Sequence, residues 1–231
     1  ISPIVPAELR QGNLGSLRAL LAGRTRGAAL TAQLDARLET KNQDTLLTCA
    51  AGYGQADAVR LLIESGASVG ATTGSGSTAL VIACQEGHLE CVRLLLGATA
   101  AVDQANAKGA TPLYVACEKG HVDIVRLLLD SGASVGATTG SGCSALFAAC
   151  ERGHLEIVRQ LLEASAAGNP ADAEGVTPLF MACQEGQLEC VQLLLGAGAA
   201  VNQAPQDGAT PLSIASENGH LECAQLLRDA G

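Results

Sequence analysis

A pattern of 33 residues recurs six times along the chain, each copy in phase with the one before. Every copy opens with Thr or Ser and continues through an apolar stretch, a glycine and a second apolar stretch. The copies begin at Thr45, Thr78, Thr111, Ser144, Thr177 and Thr210. A fixed period of this length is typical of chains that stack one supersecondary unit in a row. The pattern therefore favours a solenoid over a globule with a single closed core.

Each copy predicts two short helices. The opening hydroxyl suits an N-cap, because its oxygen can accept a hydrogen bond from a free backbone N–H. Proline follows at the first helical position of three copies, where no N–H is needed: Pro112, Pro178 and Pro211. A glycine stops the first helix, and the second helix ends near another glycine, which Thr99 and Ser165 replace in two copies.

Helices of this length do not persist alone, since isolated helices shorter than about 12–15 residues are marginal in water. Both helices of a copy carry apolar residues, more than one copy can bury within itself. We therefore expect neighbouring copies to cover each other, so that stability is a sum of repeat and interface terms.

Copies such as TPLYVACEKGHVDIVRLLLDSGA from Thr111 and TPLFMACQEGQLECVQLLLGAGA from Thr177 resemble the ankyrin repeat. The resemblance implies an all-α solenoid of stacked helix-turn-helix repeats with β-hairpin or loop fingers. It also implies a protein-interaction module that binds a protein or peptide through its fingers and concave groove. We expect six repeats in residues 43–231 and a degenerate N-terminal repeat with an enlarged loop in residues 1–42, all in one continuous domain.

The enlarged loop has a second interpretation. Leu30, Leu34 and Leu38 follow a spacing of four residues, which favours a short helix within this insert instead.

The resemblance implies which residues meet a partner. Of these we expect Tyr53 to be an exposed contact. The groove positions directly precede the glycine that stops the first helix of each copy: Tyr53, Gln85, Glu86, Glu118, Lys119, Glu151, Arg152, Gln184 and Glu185, followed by Glu217 and Asn218. The finger positions are Thr73, Ser75, Asn106, Lys108, Thr139, Ser141, Asp172 and Glu174, followed by Gln206 and Asp207.

The fingers have two further features. The family's usual Asp is replaced by Thr73, Asn106, Thr139 and Pro205, which we expect to loosen those turns. The stretch SGASVGATTGSG occurs at both 65–76 and 131–142. A partner with matching periodicity could use both copies, although we favour recent duplication as the explanation.

The nine cysteines are predicted to be packing residues. Cys84, Cys117, Cys150 and Cys183 share one repeat position with Ala51 and Ser216, so small size is the common property. No C-x-x-C pair exists, which disfavours a metal site. Cys143 lies in a finger and is expected to be the most accessible thiol.

Other columns of like residues also favour structural roles. The column His88, His121, His154 and His220 alternates with Gln55 and Gln187, so a hydrogen-bonding side chain suffices at this turn. The family's His after Leu is absent, which puts its usual polar network between units in question. Tyr114, Phe147 and Phe180 are interpreted as core rather than as a binding stripe. Each second helix begins with an acid, and Arg60, Arg93, Arg126 and Arg159 lie three residues beyond it, in position for ion pairs.

Composition excludes several functions. The net charge of -9 without a Lys/Arg cluster argues against nucleic acid, and no apolar run is long enough for membrane insertion. No phosphate-loop or nucleophile motif appears, so we expect no catalysis and no cofactor or metal. We expect a monomeric, intracellular chain, cytoplasmic or nuclear. The alternative function is a structural spacer or scaffold arm of a larger multidomain protein.

Overall fold

The computed structural model describes residues 8–22, 28–38, 40, 42–164, 171–206 and 208–231. The chain divides into two compact units, Ile1–Pro112 and Leu113–Gly231. In the described residues, both units consist of helices joined by turns, and the fingers contain only two isolated antiparallel bridges, Thr72 with Thr78 and Thr138 with Ser144. No helix among them combines the length and the apolar character that a membrane span requires.

The first unit is a stack of short helices. Their bounds are α1 Gly15–Leu21, α2 Ala28–Leu34, α3 Leu46–Gly52, α4 Ala56–Glu64, α5 Ala79–Glu86 and α6 Leu89–Gly97. Helix α3 packs against α5, and α4 packs against α6. Helix α2 is the short helix that the leucine spacing predicts, and it buries Leu30 and Leu34.

The second unit repeats this arrangement. Its helices are α7 Pro112–Lys119, whose first residue closes the preceding unit, α8 Val122–Asp130, α9 Ala145–Arg152, α10 Leu155–Glu163, α11 Pro178–Gln184, α12 Leu188–Gly196, α13 Pro211–Glu217 and α14 Leu221–Ala230. Helices α9, α11 and α13 pack in succession, as do α8, α10, α12 and α14. The predicted all-α class and the stacking of helical pairs are confirmed in each unit.

The first helices begin as the sequence predicts. The backbone N–H of Val81 donates to the Thr78 hydroxyl at 3.3 Å, and that of Phe147 donates to the Ser144 hydroxyl at 3.1 Å. Prolines 112, 178 and 211 open α7, α11 and α13. Because each cap satisfies an N–H that the helix itself cannot, one hydroxyl per repeat fixes where the first helix starts.

The second helices end in left-handed backbone. Gly66, Gly132 and Gly198 have φ of 92°, 83° and 80° at this position. Thr99 holds the same position with φ of 63°, which is uncommon for a residue with a branched Cβ. Ser165, the other predicted replacement, lies outside the described residues.

The core consists of columns of apolar residues at the repeat spacing. One residue of each second helix is fully buried: Leu62, Leu95, Leu128, Leu161 and Leu194, with Leu227 at 2% exposure. Phe147 and Phe180 are buried with Met181 in one cluster, so their interpretation as core is confirmed. Tyr114 is half-buried, and burial, together with the nearby Cys143 and Glu118, raises its pKa to about 12.

Candidate functional site

A cleft of about 480 Å³ opens on the first unit. Four residues that the sequence predicts as partner contacts line it: Tyr53, Ser75, Gln85 and Glu86. Arg10 and Asp44 line it as well, and neither was predicted. The cleft is therefore where the structure brings the predicted residues together.

The repeat stacking places these side chains side by side. Tyr53 is the C-cap residue of α3, and Gln85 and Glu86 end the neighbouring helix α5. Since α3 and α5 pack against each other, the ends of two successive first helices form one wall. Ser75 reaches the same space from the finger that precedes α5.

Tyr53 is the exposed aromatic of this wall. Its relative exposure is 39%, as predicted for this position, while its contact with a partner stays a prediction. The guanidinium carbon of Arg10 lies 5.9 Å from the centre of the Tyr53 ring. This distance is within the range of a cation–π interaction.

Two carboxylates give the cleft a negative character. Asp44 accepts a hydrogen bond from the Asn42 amide at 3.3 Å, and Glu86 accepts one from the Gln85 amide at 2.8 Å. Among the described residues, neither carboxylate forms an ion pair, and neither does Arg10. The amide partners orient the carboxylates but leave their charge in place.

The groove positions of the second unit form neighbouring pairs. Lys119 lies 3.7 Å from Glu118, and Arg152 lies 3.7 Å from Glu151. The Gln184 amide donates to Glu185 at 3.0 Å. Each cation of this ladder is thus balanced by the residue beside it, and Glu185 has no ion-pair partner in the part of the chain that the structure describes.

One finger prediction is wrong. Thr73 is only 1% exposed, so its side chain cannot offer a surface contact in this structure. The preceding finger lies against this loop, and the Gly74 N–H donates to the Asn42 carbonyl oxygen at 2.7 Å. Ser75, Lys108, Ser141 and Glu174 are exposed at the tips, and Asn106, Thr139 and Asp172 are half-buried at the bases.

The finger turns are not loosened at three of the four replaced positions. The hydroxyl of Thr73 accepts the Ser77 N–H at 3.2 Å, and that of Thr139 accepts the Cys143 N–H at 3.1 Å. Asp172 receives the equivalent bond from Val176 at 2.9 Å, and Asn106 receives it from Ala110 at 3.1 Å. Any side-chain oxygen at this position closes the turn, so the predicted loosening is wrong for Thr73, Asn106 and Thr139.

Pro205 has no side-chain oxygen and cannot make this bond. Its finger is held by the backbone, through the Gly208 N–H on the Pro205 carbonyl oxygen at 3.0 Å. The neighbouring predicted contact, Gln206, is exposed, and Asp207 lies outside the described residues.

Backbone hydrogen bonds link each finger to the next within a unit. The Ala107 N–H donates to the Ser75 carbonyl oxygen at 3.1 Å, and the Ala173 N–H donates to that of Ser141 at 2.9 Å. A finger at Thr40, in the region where an enlarged loop was expected but no contact position was assigned, follows the same rule, because the Thr40 hydroxyl accepts the Asp44 N–H at 2.8 Å. The signal was present, since Thr40 precedes Thr73 by one period.

The histidine column ties successive repeats together. His88 Nε2 lies 3.1 Å from the Gly52 carbonyl oxygen, and His154 Nε2 lies 3.4 Å from that of Glu118. This confirms a hydrogen-bonding role at the turn. It also supplies a polar link between neighbouring repeats of one unit, although the family's usual His is absent.

The cysteines lie where packing predicts them. All nine are free, eight are buried, and Cys143 is half-buried, which confirms it as the most accessible thiol. Burial raises the pKa of Cys49 and Cys183 to about 12 and that of Cys91 and Cys190 to about 11. These thiols stay protonated near neutral pH and are poor nucleophiles.

The predicted helix ion pairs form where the acid is Glu. Arg93 lies 3.5 Å from Glu90, and Arg159 lies 3.6 Å from Glu156. In the described chain, Asp57 and Asp123 form no such pair with Arg60 and Arg126. The Asp side chain is one methylene shorter, which accounts for the difference.

Charge is distributed unevenly between the units. Residues 1–112 contain nine basic and nine acidic residues, whereas residues 113–231 contain five basic and fourteen acidic ones. The net charge of -9 therefore belongs to the second unit.

A smaller cleft of about 300 Å³ lies at the turns of the last two repeats. Leu221 forms part of it and is 73% exposed, whereas Val122, Leu155 and Leu188 are half-buried at the same repeat position. No sequence-predicted site residue lines this cleft.

Comparison with known proteins identifies the repeat. A family model of ankyrin repeats in three copies matches residues 8–106, 70–139, 94–172, 135–204 and 166–231. No curated protein matches the sequence significantly. The overlapping matches run from residue 8 to residue 231, so they extend beyond residues 43–231, where the six repeats are predicted. The chain belongs to the ankyrin repeat family.

Proposed function

We propose that this chain is a non-catalytic module that binds a protein or peptide through its groove residues and finger tips. Ankyrin repeats are generally protein–protein interaction modules and are typically non-catalytic. The observation that carries the proposal is the cleft on the first unit, in which Tyr53, Ser75, Gln85 and Glu86 converge.

The cleft has the features of a recognition site rather than of packing. Tyrosine and arginine are the residue types that most often dominate binding energy, and Tyr53 and Arg10 line the same space. The groove side chains also point away from the core, since Gln85, Glu86, Lys119, Arg152 and Glu185 are all exposed. Lys119 and Arg152 pair with the acid directly before them, and Gln184 donates to Glu185, whereas Asn218 donates to the Gln184 carbonyl oxygen of the preceding repeat at 2.9 Å.

Affinity capture with a charge-reversed groove tests the proposal. The groove variant combines Glu86→Lys with Glu185→Lys, and the control combines Glu64→Lys with Glu163→Lys. The control residues are exposed, end the second helices α4 and α10, and change the net charge equally. Proteins captured by the wild type are identified, produced recombinantly and titrated against all three chains by calorimetry.

The proposal expects at least one captured protein to lose affinity several-fold with the groove variant and to keep it with the control. Tyr53→Ala should weaken the same partner about fivefold or more, which corresponds to a loss of about 1 kcal/mol. Equal binding of every captured protein to wild type, groove variant and Tyr53→Ala refutes the groove assignment, whereas a wild type that captures no protein favours a structural spacer.

A further inference from the structure

The Tyr53 cleft has the composition of a cation site. An aromatic face attracts cations through its quadrupole, and the attraction grows when the cation is partly removed from water. In this cleft the exposed ring of Tyr53 lies with two carboxylates, Asp44 and Glu86, that have no ion-pair partner among the described residues. A side chain entering the cleft meets one ring and two negative charges.

Arg10 already places a cation against this ring. Its guanidinium carbon is 5.9 Å from the ring centre, and it forms no ion pair within the described chain. Arg10 is exposed, so a competing side chain can displace it into water at little cost. The contact shows which chemistry the ring accepts and which position a ligand would take.

An anionic ligand fits the cleft less well. Among the described lining residues, Arg10 would be its one cationic partner, against the two carboxylates of Asp44 and Glu86. The neutral donors and acceptors, Asn42, Ser75, Ser77 and Gln85, suit the polar backbone of an extended peptide beside the charged group.

We propose that the Tyr53 cleft binds an arginine side chain of a partner protein, which replaces Arg10 over the Tyr53 ring. A planar guanidinium is favoured over an ammonium because it stacks on an aromatic face while donating to carboxylates in its own plane. The inference rests on the proposed function and specifies the partner chemistry at one position of the groove.

Peptide titration followed by NMR tests this assignment. The probes are the capped pentapeptide Gly-Ala-Arg-Ala-Gly and two counterparts with citrulline or glutamate in place of the arginine. Citrulline keeps the shape of arginine and removes its charge. The readout is the shift of the Gly52, Tyr53 and Gln85 amide signals in wild type, Arg10→Ala, Glu86→Gln and the exposed control Glu64→Gln.

The arginine peptide should shift these signals, and the citrulline and glutamate peptides should not. Arg10→Ala should tighten arginine-peptide binding roughly threefold, since removing an exposed cation–π competitor is worth about that factor. Glu86→Gln should weaken binding and Glu64→Gln should leave it unchanged. Arg10, Glu86 and Glu64 are all exposed, so we expect each variant to fold like the wild type. The thermal midpoint of each variant checks this.

Three results overturn the assignment: weaker arginine-peptide binding in Arg10→Ala, binding of the glutamate peptide, or no shift with the arginine peptide in either wild type or Arg10→Ala. The outcomes separate this inference from the proposed function. If a captured partner needs Tyr53 and Glu86 for binding but the cleft does not bind the arginine peptide, only the cation assignment is refuted. Captured partners indifferent to every groove variant refute the groove assignment of the proposed function as well.

Discussion

His220 Nε2 lies 3.0 Å from the carbonyl oxygen of Gln184, which precedes it by 36 residues. The same offset relates His88 to Gly52 and His154 to Glu118. A carbonyl near the end of one first helix is thereby satisfied by the turn of the next repeat. Since these carbonyls lie in the last turn of their helices, where no intrahelical donor is available, the three histidines link three pairs of neighbouring repeats.

Substitution of His220 tests the energy of this link. We expect His220→Ala to lower the free energy of unfolding by about 1 kcal/mol, because the Gln184 carbonyl oxygen loses a donor. His220→Gln should cost less, since Gln55 and Gln187 occupy the same column. Urea denaturation compares the two, and an equal loss for both would show that the side-chain hydrogen bond contributes nothing.

The glycine before each turn explains why the column needs a small neighbour. A Cβ on Gly120 would lie 2.7 Å from Cε1 of His154, and one on Gly186 would lie 2.5 Å from Nδ1 of His220. Both glycines also have positive φ, with values of 79° for Gly120 and 68° for Gly186. The glycine of one repeat and the His or Gln of the next repeat therefore form one structural element.

Thr99 offers a stabilising substitution. With φ of 63° it carries a branched Cβ in left-handed backbone, where a residue other than glycine costs roughly 1–2 kcal/mol. We expect Thr99→Gly to raise the free energy of unfolding by about 0.5–1 kcal/mol, after the added flexibility of the unfolded chain is subtracted.

The neighbouring Ala98 is the control for this change. Its φ is -91°, so Ala98→Gly relieves no strain and should destabilise the protein. Chemical denaturation of both variants measures whether the free energy of unfolding rises for Thr99→Gly and falls for Ala98→Gly. A destabilised Thr99→Gly chain would contradict the account of this turn.

The buried thiols predict that the free energy of unfolding falls at alkaline pH. Burial, with a smaller contribution from Glu189, raises the pKa of Cys190 from 9.0 to about 11. Between these values the unfolded chain loses the proton first, so stability present below about pH 9 is lost as pH rises toward about pH 11. The wild type should therefore unfold more easily at about pH 10 than at about pH 8.

Cys190→Ala isolates the contribution of that thiol. Ala58 occupies the same repeat position as Cys190, so this position tolerates alanine. The variant should lose about 1 kcal/mol less stability than the wild type between about pH 8 and about pH 10. Urea denaturation at both values measures this difference, and identical losses would show that the Cys190 thiol does not titrate with unfolding.

The sequence predicts the repeated elements because one physical rule recurs at each position. Thr78 and Ser144 cap helices, Pro178 opens one, and Leu128 and Leu161 fill a column, all at an interval of 33 residues. Tyr53 could be placed in the groove for the same reason. Residues at the same position of successive repeats occupy equivalent places in the stack, so the period predicts where each of them lies.

Residues outside the period could not be placed this way. Arg10 reaches the cleft from the N-terminal segment, whose spacing to Thr45 departs from the repeat, so nothing in its neighbourhood predicts the contact with Tyr53. The burial of Thr73 depends on the finger at Thr40, which is in period with Thr73 but has no Gly to mark its turn. A finger's exposure depends on its neighbour, and the neighbour here was not recognised.

The central claim is that short helical pairs are held by their neighbours rather than by their own contacts. Amide hydrogen exchange of Leu161→Ala tests it most directly, because Leu161 is fully buried in α10, which packs between α8 and α12. The exposed Glu163→Ala in the same helix is the control. We predict that Leu161→Ala lowers protection in α8 and α12 as well as in α10, with the control unchanged. Loss of protection confined to α9 and α10 would contradict the account.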